Sequence, residues 1–198
     1  IDLGPLTTML PGAIKHKDKK IHLNVDFYKA DLERVQKIFN LDAPKTDGDI
    51  LLIGRRHVRS NNSWLHNSQR LVKGKSRCTL MLHPELAQQQ SINNGDLVKV
   101  TSRVGSIEIV AEVTDELMPG VVSIPHGWGH GRKGIRQGIA QKHAGVSVND
   151  LTDESLIDTL SGNAAVNGVP VVLELVPTSS QNAASQTTKK KAEAVSLT

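Results

Sequence analysis

The spacing of apolar residues changes along the chain, and each spacing predicts a different element. From Phe27 to Asn40, Tyr28, Leu32, Val35 and Phe39 recur three and four residues apart, the pattern of one helix face. Asp31 and Glu33 fall in its first half and Arg34 and Lys37 in its second, as the helix dipole prefers. Ile50 to Ile53 is instead an unbroken apolar run ending at Gly54, which predicts a buried strand followed by a sharp change of direction. From Cys78 the period is two. Cys78–Leu82 reads as a strand, Pro84 opens a short helix to Gln90, and Asn93–Asp96 is a tight turn. Leu97, Val98 and Val100 lead to a second turn at Ser102–Gly105, after which Ile107, Ile109, Ala111 and Val113 alternate with polar residues. Val121–Ile124 and Val169–Val176 are further strands, and Glu154–Leu160 reads as a helical stretch. Short strands at this pitch, with little helix, predict a mainly β fold, a small closed barrel rather than a doubly wound parallel sheet.

The same pattern divides the chain. Residues 1–48 form an N-terminal arm whose amphipathic helix is expected to pack on a partner surface, and residues 49–176 form the barrel. Residues 177–198 are Ser, Gln, Thr, Ala and Lys with almost nothing to bury, hence a disordered tail.

Charge turns this scaffold into a candidate binding protein. From Ile50 to Pro84 there is no carboxylate but seven Lys or Arg residues, and a second acid-free stretch, Leu117–Asn149, holds Arg132, Lys133, Arg136, Lys142 and three histidines. The two tryptophans, Trp64 and Trp128, lie one in each. The loop after the Ile50–Ile53 strand carries Gly54, Arg55, Arg59, Ser60, Asn61, Ser63 and Trp64. Arginine forks match phosphate oxygens, and Asn or Ser reads the edge of a heterocycle. Two such loops suit one anionic, partly aromatic ligand. A solvated basic surface is the bland alternative, with Ser60, Asn61 and Ser63 holding only the loop's own turns. Strand alternation turns Arg56 away from Arg55.

Other chemistry is narrowed by what the residues permit. One cysteine, Cys78, excludes an internal disulfide or a CxxC site and reads as a small core residue in reducing, cytoplasmic surroundings. No apolar run has the length of a membrane-spanning helix. His126 and His130 stand four apart, but the glycines of His126-Gly127-Trp128-Gly129-His130-Gly131 disfavour the helix that would align them as metal ligands. A permissive backbone offering N–H groups to a ligand fits better. His66, His83 and His143 read as structural or exposed. No catalytic Ser, His and carboxylate set is identifiable, which disfavours a free-standing small-barrel enzyme. A basic nucleic-acid-binding barrel is the main alternative, weakened by the lack of strand aromatics for stacking bases.

Several stretches in one order carry a resemblance: Gly54-Arg55 with Ser60–Trp64, the run from His83 through His130, and Val148–Asp158 followed by Gly168–Glu174. Over Asp49–Val176 the sequence resembles the C-terminal dinucleotide-binding domain of the molybdopterin oxidoreductases, a superfamily that includes formate dehydrogenases, nitrate reductases and dimethyl sulfoxide reductase. The resemblance implies a double-psi β-barrel that grips part of a molybdopterin guanine dinucleotide, in its bis form with molybdenum or tungsten in the full enzyme. Gly54-Arg55 and the loop through Trp64, Arg59 included, would meet the pyrophosphate and pterin. His126-Gly127-Trp128 would form a second wall and Asn149 would bond the cofactor, although Asn149 also suits a cap for the following helical stretch. The domain would bind no metal itself and would show no activity alone. Its partners would be N-terminal catalytic domains of the same polypeptide or complex, with no nucleic acid and no membrane segment. Ile1 is not a start methionine, and the native polypeptide is expected to extend N-terminally by several hundred residues that carry the metal site.

Overall fold

Alternating Val, Ile and Leu residues with two-sided pairing build six strands, and these close on themselves. The computed structural model describes residues 1–38 and 50–177; Phe39, Asn40 and the tail beyond Pro177 lie outside the described residues. The chain divides into two units, Ile1–Lys45 and Thr46–Thr198.

In the first unit the predicted single helix is two short ones, α1 (Asp26–Ala30) and α2 (Leu32–Ile38). The break is at Asp31, whose carboxylate takes two bonds from Arg34, at 2.7 and 2.6 Å. An i,i+3 pair of this kind suits a helix surface; the interruption is a tightened turn, in which the Asp31 N–H bonds the Tyr28 carbonyl at 3.2 Å. Phe27, Tyr28 and Leu32 are each more than half exposed.

The second unit is a closed barrel in the order β1-β5-β2-β4-β3-β6. The strands are β1 (Ile50–Arg55), β2 (Thr79–Leu82), β3 (Leu97–Thr101), β4 (Ser106–Val113), β5 (Val121–Pro125) and β6 (Val169–Leu175). β1 runs parallel to β5 and β2 parallel to β4, and the remaining pairs are antiparallel. Two such parallel pairs within six strands make a double-psi barrel, and closure leaves no unpaired edge. Alternation sends Ile50 and Leu52, Val98 and Val100, Ile107, Ile109 and Ala111, and Val169, Val171 and Leu173 inward. Each fully buried side chain of this size contributes about 1.5–3 kcal/mol.

Short helices decorate the barrel: α3 (Gln69–Val72), α4 (Pro84–Gln89) and α5 (Gly138–Lys142), with a 3-10 turn at Val148–Asp150. No helix forms at Glu154–Leu160. The Asp153 carboxylate accepts from the Ser155 N–H (2.8 Å) and hydroxyl (2.5 Å), and Ile157 bridges to Ala164 instead. An aspartate that caps its own neighbours holds the backbone in a turn.

Pairing direction positions the site. Because β1 and β5 are parallel, both end at the same rim, where Arg55 lies opposite Pro125. β2 runs antiparallel to β5, so its start at Thr79 reaches that rim too. Three segments therefore meet at one barrel mouth: the loop after β1, the loop after β5 and the Lys73–Cys78 approach to β2.

Candidate functional site: a basic cleft at the barrel mouth

Loop one is built from its own backbone. The Ser60, Asn61 and Ser63 carbonyls accept from the N–H groups of Leu65, Trp64 and His66, at 3.1, 3.3 and 3.1 Å. Asn61 and Asn62 adopt left-handed φ values of 41° and 61°, which asparagine tolerates better than most residues. Ser60 is buried, whereas Trp64 is 83% exposed. Arg56 turns away from Arg55 and bonds the Asn62 side chain.

The second loop locks against the first. The His126 N–H bonds the Arg55 carbonyl at 3.0 Å, and Asn67 Oδ1 accepts from the Ile139 and Ala140 N–H groups at the start of α5. Gly127 has φ +93°, and a Cβ there would lie 2.2 Å from the Asn62 carbonyl oxygen. Only glycine permits this approach. Trp128 is 8% exposed, packed against His66 with ring centroids 4.1 Å apart and close to Gly145. The two tryptophans thus do not share one surface: Trp64 faces solvent and Trp128 is a wall seen largely from inside.

Arg55 also differs from the expected free phosphate fork. Its Nη1 donates to the Ser123 carbonyl, and its Nη2 donates to the Thr79 carbonyl (2.9 Å) and hydroxyl (2.8 Å). The guanidinium ties β1, β5 and β2 together at the rim, and burial pulls its pKa down against the opposing charge of Glu112. The Thr79 hydroxyl in turn donates to Glu112 Oε2 at 2.6 Å.

Outside that clamp lies a cleft of about 410 Å³, lined by Arg55, His57, Arg59, Lys73, Gly74, Lys75, Ser76, Arg77, Met81 and Glu112. Five of these are Lys or Arg and one is a carboxylate, already bonded to Thr79. The excess charge registers on His57, whose pKa is lowered first by burial and then by Arg77, Arg59 and Arg55. Ser76 and Arg77 also line a neighbouring cleft of about 280 Å³, with Trp128, Lys142, His143, Ala144 and Gly145. One surface thus runs from a cluster of cations, of which, among the described residues, only Lys75 approaches the carboxylate of Glu112, at 4.0 Å, to an indole wall. A family profile described as "Molydopterin dinucleotide binding domain" matches residues 50–170.

The chain belongs to this molybdopterin dinucleotide-binding family. The molybdopterin-containing subunit of arsenate respiratory reductase from Chrysiogenes arsenatis is 25% identical over 189 residues, 81% of this chain and 21% of that protein. A tetrathionate reductase subunit from Salmonella typhimurium is 27% identical over 124 residues, 54% of this chain and 12% of that protein. The chain therefore spans only 12–21% of the length of these curated relatives. Acetylene hydratase from Pelobacter acetylenicus has the same fold, with a TM-score of 0.55 and 17% identity over 79% of this chain and 21% of that one.

The donor set of this dinucleotide-binding domain fits a phosphate-bearing cofactor. Cations outnumber carboxylates around an open cleft, and Arg59, Lys73, Lys75 and Arg77 lie beyond the Arg55 clamp. Of the residues predicted from sequence, Arg55 and Arg59 line the larger cleft and Trp128 the smaller. Gly54 gives its N–H to Asn167 Oδ1 at 2.8 Å, His126 is half-buried beside them, and Asn149 sits exposed in the 3-10 turn. Lys73, Lys75 and Arg77 were missed as site residues. The signal was present, since the acid-free stretch runs to Pro84, but nothing in spacing says that a segment eighteen or more residues past Arg55 returns to the same rim.

Proposed function

We propose that the domain binds molybdopterin guanine dinucleotide, with the pyrophosphate in the cleft of Arg59, Lys73, Lys75 and Arg77 and a ring of the ligand toward the Trp128 wall. The observation that carries this is the surplus of Lys and Arg over the single, already bonded Glu112. Forked and ammonium donors of this kind recognise phosphate oxygens, and each charge-assisted bond contributes about 1.5–3 kcal/mol. Gly54, Ser60, Asn61, Ser63, Trp64, His126, Gly127 and Asn149 shape the loops around that ligand. The full enzyme is a larger molybdenum or tungsten oxidoreductase, with N-terminal catalytic domains completing the site. The reductases among the relatives favour an oxidised substrate that the enzyme reduces over the formate-dehydrogenase-like alternative. When bound, the pterin and its metal supply the redox chemistry; this chain supplies binding, orientation and charge. A reducing, cytoplasmic setting is part of the proposal, supported by the single, buried Cys78.

The test is cofactor content per folded full-length protein. Lys73→Glu/Lys75→Glu should lose about tenfold or more of retained dinucleotide, the scale expected when two phosphate contacts reverse sign. Lys133→Glu, outside the cleft, should retain it. Undiminished occupancy in the double variant rejects the site, and tight, salt-sensitive binding of oligonucleotides by the wild-type chain moves the assignment to a nucleic-acid ligand.

A further inference from the structure

Two buried titratable rings lie behind the clefts. His66, in the loop after β1, is 1% exposed, and His130, in the loop after β5, is 8% exposed. His66 Nδ1 stands 2.7 Å from His130 Nε2, and the His66 ring packs on Trp128, tilted by 33°. The bond ties one acid-free loop to the other, side chain to side chain. The stack also sets where the indole of the smaller cleft sits. Among the described residues, His66 Nε2 and Trp128 Nε1 have no hydrogen-bond partner.

We propose that His66 and His130 are positioning residues of the dinucleotide site: their mutual hydrogen bond, made by neutral rings, holds the two loops in register and seats Trp128. This rests on reading the two clefts as the dinucleotide site.

The surroundings explain why the rings must be neutral. A hydrogen bond between two imidazole nitrogens needs one donor and one acceptor. A first proton would place a charge in a buried site that, among the described residues, no carboxylate faces. The groups around it are Arg77 on the approach to β2, Cys78, which with Trp128 packs on Gly145, and Lys142 and His143 at the end of α5. A second proton would set two N–H groups against each other. Burial foremost, then the charge of His130, lower the pKa of His66 to about 4; the Gly127 backbone opposes them, and Arg77 adds the least of the downward pushes. Burial lowers that of His130 too. The sign follows from linkage. An opened loop takes up protons near the ordinary histidine value of about 6.5, so the closed register is fully favoured above that pH. It weakens progressively as pH falls from there toward 4.

Imidazole NMR and amide hydrogen exchange on the unmodified 198-residue chain, without ligand, test this. Both rings should stay neutral through about pH 6, and amides of residues 60–67 and 126–131 should lose about tenfold or more of their protection between pH 6.5 and 4.5, after correction for intrinsic exchange. His66→Asn/His130→Gln places non-titrating amides where Nδ1 and Nε2 meet, and should hold that protection constant over the same range. His16→Asn, exposed in the arm, should behave as wild type. Either ring titrating at its ordinary value overturns the proposal, as does an amide pair whose loops open with the wild-type pH dependence. The ring titration needs no variant, so it is decisive even where the double variant misfolds. Because loop protection is read without dinucleotide, this result and the cofactor-retention test fail independently.

Discussion

Two arginine-rich regions of the barrel unit treat their charges in opposite ways. At the corner where the β3–β4 turn meets the segment after the 3-10 turn, Arg103 forks onto Asp153 and reaches Glu154, and Arg132 pairs with Asp150. Asp153 also accepts two bonds from Ser155. The Arg103 fork holds the Asp153 carboxyl well below the usual carboxylate range, and Asp153 raises Arg103 in return. Close approach is built in, since a Cβ on Gly105 would lie 2.5 Å from the Asp150 carbonyl oxygen. At the mouth, five cations surround one carboxylate, Glu112, which Thr79 bonds and Lys75 approaches at 4.0 Å, so positive charge is left over. Charges matched within the chain serve the fold and leave no valence for a ligand, whereas charges the chain does not match call for a partner from outside. Arg55 shows that the division is by environment rather than residue type: it lies in the cleft, yet its donors are taken up by Ser123 and Thr79, and Arg77 gives two of its donors to the Leu71 and Lys73 carbonyls.

Four variants break or sharpen this contrast. Gly127→Ala should have the largest effect, because its φ is left-handed and its new Cβ would collide with the Asn62 carbonyl. A loss of more than about 3 kcal/mol in urea unfolding is expected, with the mouth disordered before the Arg103 corner in hydrogen exchange. Stability within about 1 kcal/mol of wild type would show that the loops do not need this contact. Arg55→Ala comes next. It leaves the Ser123 and Thr79 carbonyls without their donor and should cost about 2 kcal/mol of stability. A variant as stable as wild type but unable to retain cofactor would return Arg55 to the role of a free phosphate fork. The smallest effect on stability is expected for Lys73→Glu/Lys75→Glu, within about 0.5 kcal/mol of wild type, since both side chains sit on the exposed rim. Arg103→Ala should show the reverse signature, a lowered urea midpoint with cofactor retention unchanged. Identical signatures from the two variants would dissolve the distinction between paired and unpaired charge.

Local physics made much of the barrel readable. The two-residue period of Ile107, Ile109 and Ala111 specifies an inward face in any sheet, and β4 follows it. Pro84 starts α4 where a missing N–H costs least, with His83 as its cap. The stretch after Asn149 misreads because a short side chain bonds its near neighbour: Asp153 accepts from the Ser155 N–H and hydroxyl, and no helix forms at Glu154–Leu160. Periodicity counts hydrophobic faces and is blind to such competition.

The site divides along the same line. Sequence alone determined that two acid-free stretches exist, each with a tryptophan, and that the first begins at a strand end beside Gly54 and Arg55. Composition is a property of the chain and survives any fold. Only the tertiary structure decided which of these residues face a ligand. Parallel pairing of β1 with β5 and antiparallel pairing of β2 with β5 bring Lys73, Lys75 and Arg77 to the rim. The same pairing turns Arg55 inward, exposes Trp64, buries Trp128 and closes His66 on His130. Whether an arginine is a clamp or a ligand donor depends on which carbonyls come within about 3 Å of it, and in a closed barrel those carbonyls come from strands far away in sequence.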